Sequence, residues 1–122
     1  MIKELADFLD LEWFSDFNMP EITFNVLPCN KVIYDNDYGY CVQYKNTSRL
    51  IPIDTMSEED QLKLLKHLKT PTLKNCLLQL DKAGWSTLID SKWEDDVRTL
   101  LKESFPEISN DLLQEVLDLV LV

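Results

Sequence analysis

The 122 residues carry 22 acids against 12 Lys and Arg, a formal charge of −10, with 45% apolar residues and only two glycines. That surplus of negative charge disfavours direct binding to nucleic acid or to an anionic membrane, and it favours a basic protein partner. The apolar share includes three Trp, four Tyr and five Phe, which suits a packed interior and excludes a disordered tail.

A chain of this length is expected to form a single domain, 1–122. It opens Met1-Ile2-Lys3-Glu4 without the basic start and apolar stretch of a signal peptide, and its longest apolar run is Leu119-Val120-Leu121-Val122. Cys29, Cys41 and Cys76 are an odd number and widely spaced, so no disulfide framework is expected and a reducing cytoplasm fits best. The charge is uneven. Residues 1–21 sum to −5, residues 22–54 to zero, residues 55–84 to +1 and residues 85–122 to −6.

Residues 2–13 are predicted as a helix from the spacing of Ile2, Leu5, Ala6, Leu9 and Trp13. Residues 14–21 read as a turn that breaks at Pro20. Residues 22–27 alternate and are rich in β-branched and aromatic types, and Pro28 is expected to end that strand. Residues 31–34 and 40–44 flank Asp35-Asn36-Asp37-Tyr38-Gly39, a composition that makes a β-hairpin because Asn, Asp and Gly tolerate left-handed backbone. Alternation places Tyr40, Val42 and Tyr44 on one face. Residues 49–53 read as a further strand, which should lie at an edge or stop at Pro52, since proline lacks an amide donor.

Helical signals begin at residue 57. Ser57 is expected to cap a helix with an acidic first turn and an apolar edge of Leu62, Leu65 and Leu68. Thr70 and Pro71 have the order of a cap and first helical residue, with Leu73, Cys76, Leu77 and Leu80 inward. Gly84 and Trp85 suit a left-handed stop and its apolar contact. Ser91 and Glu94 have capping-box spacing, with Trp93, Val97, Leu100 and Leu101 inward. The last helix starts near Asn110. It sets Asp111, Glu115 and Asp118 in one stripe against a wide apolar arc of Leu112, Leu113, Val116, Leu117, Val120 and Leu121. The predicted class is α+β: a small antiparallel sheet of three to four strands (residues 22–54), an N-terminal helix, and a C-terminal group of about four helices (residues 57–122).

The sequence offers little catalytic chemistry. His67 is the single histidine and lies in a Lys-rich run, where an ordinary boundary role is the better account. Cys29, after Pro28 in an expected loop, is the one thiol worth testing for reactivity. The Asp35 segment lacks the sixth-position Gly and twelfth-position Glu of a calcium loop. The acidic runs Glu58-Glu59-Asp60 and Glu94-Asp95-Asp96 open helices, where the dipole alone favours them. No glycine-rich nucleotide loop, HExxH, GxSxG or CxxC string occurs. No enzyme activity, cofactor or metal is therefore expected.

In size and charge alone the chain resembles the small acidic proteins of phages, mobile elements and toxin–immunity pairs. The expected function is a small acidic inhibitor that blocks a basic, nucleic-acid-binding effector. Asp111, Glu115 and Asp118 would line its surface, joined by Glu94, Asp95 and Asp96 or by Glu4 and Asp7, with Tyr38 at the hairpin tip as a further contact. The alternative is an adaptor or homodimer formed through the apolar C-terminal helix. On that reading, deleting residues 119–122 would harm the adaptor and spare the inhibitor.

Overall fold

The computed structural model describes residues 1–85 and 88–122. They form two compact units, Met1–Leu68 and Lys69–Val122. The class is α+β, with a four-stranded antiparallel sheet, a short N-terminal helix and further helices toward the C-terminus.

In the first unit, helix α1 (Lys3–Leu9) is shorter than expected. Asp10 adopts φ 51° and takes the chain out of helical geometry, so Trp13 lies beyond the helix. Asp tolerates this conformation because its carboxylate can bond locally, here accepting the Glu12 N–H at 3.2 Å. The sheet follows as β1 (Phe17–Phe24), β2 (Leu27–Asp35), β3 (Gly39–Tyr44) and β4 (Leu50–Pro52), paired in the order β1-β2-β3-β4.

β1 begins within the stretch expected to be a turn. Pro20 sits inside it because β1 is an edge strand whose register shifts between Asn18 and Ile22. The β1–β2 connection is also tighter than expected. Phe24 pairs with Leu27, and the two residues between, Asn25 and Val26, take φ 49° and 60°. Leu27 and Pro28 therefore belong to β2, and Pro28 ends nothing. Cys29, expected in a loop, is a fully buried β2 residue paired with Ile22 and Tyr44.

The central hairpin follows its composition. Asp35 Oδ1 accepts the N–H groups of Asp37 (2.8 Å) and Tyr38 (3.0 Å), and Gly39 takes φ 72°. Tyr40, Val42 and Tyr44 are all buried, as the alternation requires. Pro52 ends the edge strand β4. Helix α2 (Glu58–Leu68) packs against α1 and β1. Ser57 Oγ accepts the Asp60 N–H at 3.1 Å, the cap its sequence promised. The inward residues of α2 are Leu64, Leu65 and Leu68, while Leu62 is exposed. Buried Gln61 accepts the Ile2 N–H at 2.7 Å and donates to the Met56 carbonyl at 3.0 Å, which satisfies both ends of its amide.

The second unit holds α3 (Leu73–Lys82), a 3-10 turn (Ser91–Trp93), α4 (Glu94–Ser104) and α5 (Asn110–Val120). The cap of α3 is Thr72 and not Thr70: its hydroxyl accepts the Asn75 N–H at 3.1 Å. Asn75 and Leu78 are buried alongside Cys76 and Leu80, and Leu77 is only half-buried. Gly84 at φ 88° closes the helix, and the Trp85 N–H reaches back to the Leu80 carbonyl at 2.9 Å, the expected left-handed stop.

Ser91 does not cap α4. Asp90 caps the preceding turn through the Lys92 N–H at 3.0 Å, and the Ser91 hydroxyl donates to the Val122 carbonyl. Trp93 is consequently exposed, and Val97 and Leu101 carry the buried face. Their cluster includes Phe105, Leu113, Val116 and Leu117. The C-terminal tail is tied in by a parallel bridge between Ile89 and Leu121: the Ile89 N–H donates to Val120 at 2.7 Å, and the Val122 N–H donates to Ile89 at 2.9 Å. No helix among the described residues is long and apolar enough to cross a membrane.

Candidate functional site

Two surfaces stand out, one on each unit. The first is an open groove of about 570 Å³ lined by Phe14, Ser15, Asp16, Tyr34 and Asn36. It forms where the chain leaves α1 and returns beside the β2–β3 hairpin. Asp16 Oδ1 accepts the Tyr34 backbone N–H at 2.7 Å and fixes this return. Phe14, 56% exposed, sits at φ 47°, an unusual conformation for an aromatic residue. Its ring lies 4.8 Å from that of Tyr34, tilted by 53°, and Tyr34 in turn meets Tyr40 edge-on at 5.2 Å.

Beneath this aromatic wall Tyr40 is 2% exposed, and its hydroxyl has no hydrogen-bond partner among the described residues. The hydroxyl lies against the backbone of Ser15 and Phe14. Burial raises its pKa, opposed in part by that backbone. A smaller hollow of about 330 Å³ is lined by Ala6, Asp7, Asp10, Leu11 and Glu12. Tyr38 occupies the hairpin tip, 65% exposed, and does not line the groove.

The second surface is the acidic side of α4 and α5. Glu94 pairs with Arg98 at 3.5 Å, Arg98 reaches Gln114 Oε1 at 3.5 Å, and Gln114 donates to Asp118 at 2.8 Å. This ladder joins Glu94 and Asp118 across the two helices. Asp111 and Glu115 lie on the same exposed side of α5 as Asp118, within about 60° at 100° per residue. Asp95 is also exposed, but Asp96 falls roughly 160° around α4 from Arg98 and looks away from α5. The structure therefore brings together Glu94, Asp111, Glu115 and Asp118, and leaves Asp96 outside. Glu4 and Asp7 are exposed on α1 of the first unit, Asp7 paired with Lys3 at 2.7 Å.

The apolar arc of α5 is largely consumed at home. Leu113, Val116, Leu117 and Val120 are buried in the core of the second unit, Leu112 and Leu121 are half-buried, and Leu119 is exposed.

The remaining reactive groups sit in structural roles. All three cysteines are free and buried, and burial raises each thiol, that of Cys76 to about 11. His67 Nε2 lies 2.6 Å from the Pro20 carbonyl, which requires the proton on that nitrogen. No group of three His, Cys, Asp or Glu side chains able to hold a metal occurs among the described residues.

The groove was not visible in the sequence as a site. Of the hairpin tyrosines, Tyr34 lines the groove, while Tyr38 stands at the exposed tip outside it. Comparison with known proteins finds no matching family model, no similar curated protein and no similar solved structure.

Proposed function

We propose that this chain is a non-catalytic binding module that holds a basic protein through its acidic surface, and that it acts as an inhibitor of a nucleic-acid-binding effector. The observation that carries this reading is the state of Asp111 and Glu115. Both are exposed on α5 beside Glu94 and Asp118, and neither has a cationic partner among the described residues. Spaced, unneutralised carboxylates on a rigid helix steer a cationic surface toward them and mimic the charge of a nucleic-acid backbone. Solubility alone would also place acids on a surface. A partner distinguishes the two.

Capture from host lysate with the full chain as bait, eluted by a salt gradient, tests the reading. A basic nucleic-acid-binding protein released at moderate salt supports it, and the D111N/E115N/D118N variant should then capture less. Recovery of a salt-resistant partner, or of the bait alone, overturns it in favour of the adaptor or dimer reading. On α5 itself that alternative has Leu119 as its one exposed apolar residue.

A further inference from the structure

We infer that the groove of the first unit receives an arginine side chain of the basic partner. This rests on the partner being basic, as proposed above, and adds the place and the residue type that it presents.

Two observations converge on that occupant. Phe14 and Tyr34 both line the groove, their rings packed at 4.8 Å beside the Asp16 carboxylate that holds the Tyr34 backbone. The two segments that build it, residues 10–16 and 34–38, contain Asp10, Glu12, Asp16, Asp35 and Asp37 and no Lys, Arg or His. None of these five carboxylates is in an ion pair among the described residues.

These features select among occupants. Asp16 gives one oxygen to the Tyr34 amide and keeps its second for an incoming donor. A guanidinium stacks flat on an aromatic face while its N–H fork bonds a carboxylate, so it uses rings and charge together. A lysine ammonium supplies only the point charge. An apolar side chain would desolvate Asp16 without replacing its water, and a phosphate would meet the Asp16 carboxylate between two segments that carry no cation.

The test is an NMR titration of the full chain, labelled in its amides and aromatic rings, with acetyl-Gly-Arg-Gly-amide. The matching lysine and citrulline peptides serve as comparators. Shifts should concentrate at Phe14, Asp16 and Tyr34, with arginine ahead of lysine and citrulline weakest. Phe14→Asn removes the ring while suiting the left-handed backbone, and Asp16→Asn keeps an oxygen for Tyr34. Each should weaken binding roughly three- to five-fold, the scale of one exposed cation–π contact or ion pair. Core methyl shifts should stay unchanged, and the D111N/E115N/D118N variant should bind the peptide as the parent does. Equal binding of the citrulline peptide, shifts confined to the α4 and α5 acids, or an absence of shifts would each overturn the groove assignment. A basic protein still captured in full by the F14N/D16N double variant would overturn it too and leave the proposed function standing. Failure to capture any basic protein with the parent chain would instead remove the reading on which it rests.

Discussion

Asp16 accepts the backbone N–H of Tyr34 at 2.7 Å across 18 residues of chain. That one bond fastens the irregular segment after α1 to strand β2. It makes a groove out of two stretches that are separately a loop and a hairpin arm. A carboxylate on a backbone amide contributes more than a neutral pair, so Asp16→Ala should destabilise the chain by about 1–2 kcal/mol in urea unfolding. Asp16→Asn, which can still accept, should lose less than half as much. Equal losses from the two variants would show that the charge, and not the acceptor, holds the segment.

Val26 presents the opposite case, a residue working against its conformation. It is 91% exposed at φ 60° in the two-residue turn between Phe24 and Leu27. Turns of this kind favour Asn followed by Gly, and here Asn25 obeys while Val26 does not. A β-branched side chain in left-handed backbone costs roughly 1–2 kcal/mol, part of which glycine returns to the unfolded chain as entropy. Val26→Gly should therefore raise stability by about 1 kcal/mol. Val26→Ala, which keeps a Cβ, should gain little. A loss of stability in the glycine variant would mean that the valine side chain makes a contact worth more than the strain.

The same turn explains why the sheet was only partly legible. Most of the signals that carried over from sequence to structure are confined to a few neighbouring residues: the Ser57 cap, the Asp35–Gly39 hairpin, the Gly84 stop and the acidic stripe of α5. The equally local Thr70 cap gave way to Thr72. Features settled by distant partners did not carry over. Asn25-Val26 reads as strand because valine is a strong strand former, and only the pairing of Phe24 with Leu27 reveals the reversal. Pro20 reads as a breaker because nothing local announces an edge strand with a bulge. Ser91 has the spacing of a capping box, yet its hydroxyl finds Val122, 31 residues away. The groove belongs to this second kind, since Phe14 and Tyr34 meet only through tertiary structure.

The Ser91–Val122 contact changes what a truncation can tell. Val120 is 1% exposed in the core of the second unit, and the backbone beyond it bonds Ile89 and Ser91. Deleting residues 119–122 would thus damage the fold and cannot separate an inhibitor from an adaptor. Removing only Leu121 and Val122 should cost about 1–3 kcal/mol through lost hydrogen bonds and the half-buried Leu121. The clearest readout is amide hydrogen exchange: Ser91, which donates to Val122 at 3.2 Å, should lose protection, while Leu113 N–H within α5 keeps its bond to Ser109 at 3.0 Å. Unchanged exchange at Ser91 would show that the tail does not hold this segment in solution.

Cys76 gives the second unit a pH dependence of its own. Burial among Leu80, Val97 and Leu113 disfavours the thiolate and pushes the thiol from its ordinary 9.0 up to about 11. Below pH 9 both folded and unfolded chains keep the proton, and the group has no effect on stability. Above it the unfolded chain gives up the proton while the folded one retains it, so unfolding gains free energy as pH rises. The loss should begin near pH 9, grow toward pH 11 and reach roughly 2–3 kcal/mol. Cys29, Cys41 and Tyr40, all raised by burial, add to it in the same direction. Urea unfolding between pH 8 and about 10.5 measures this decline, and Cys76→Ala, though less stable at every pH through its cavity, should show a shallower slope. An identical slope in the variant would mean that the Cys76 thiol ionises as readily in the folded chain as in the unfolded one.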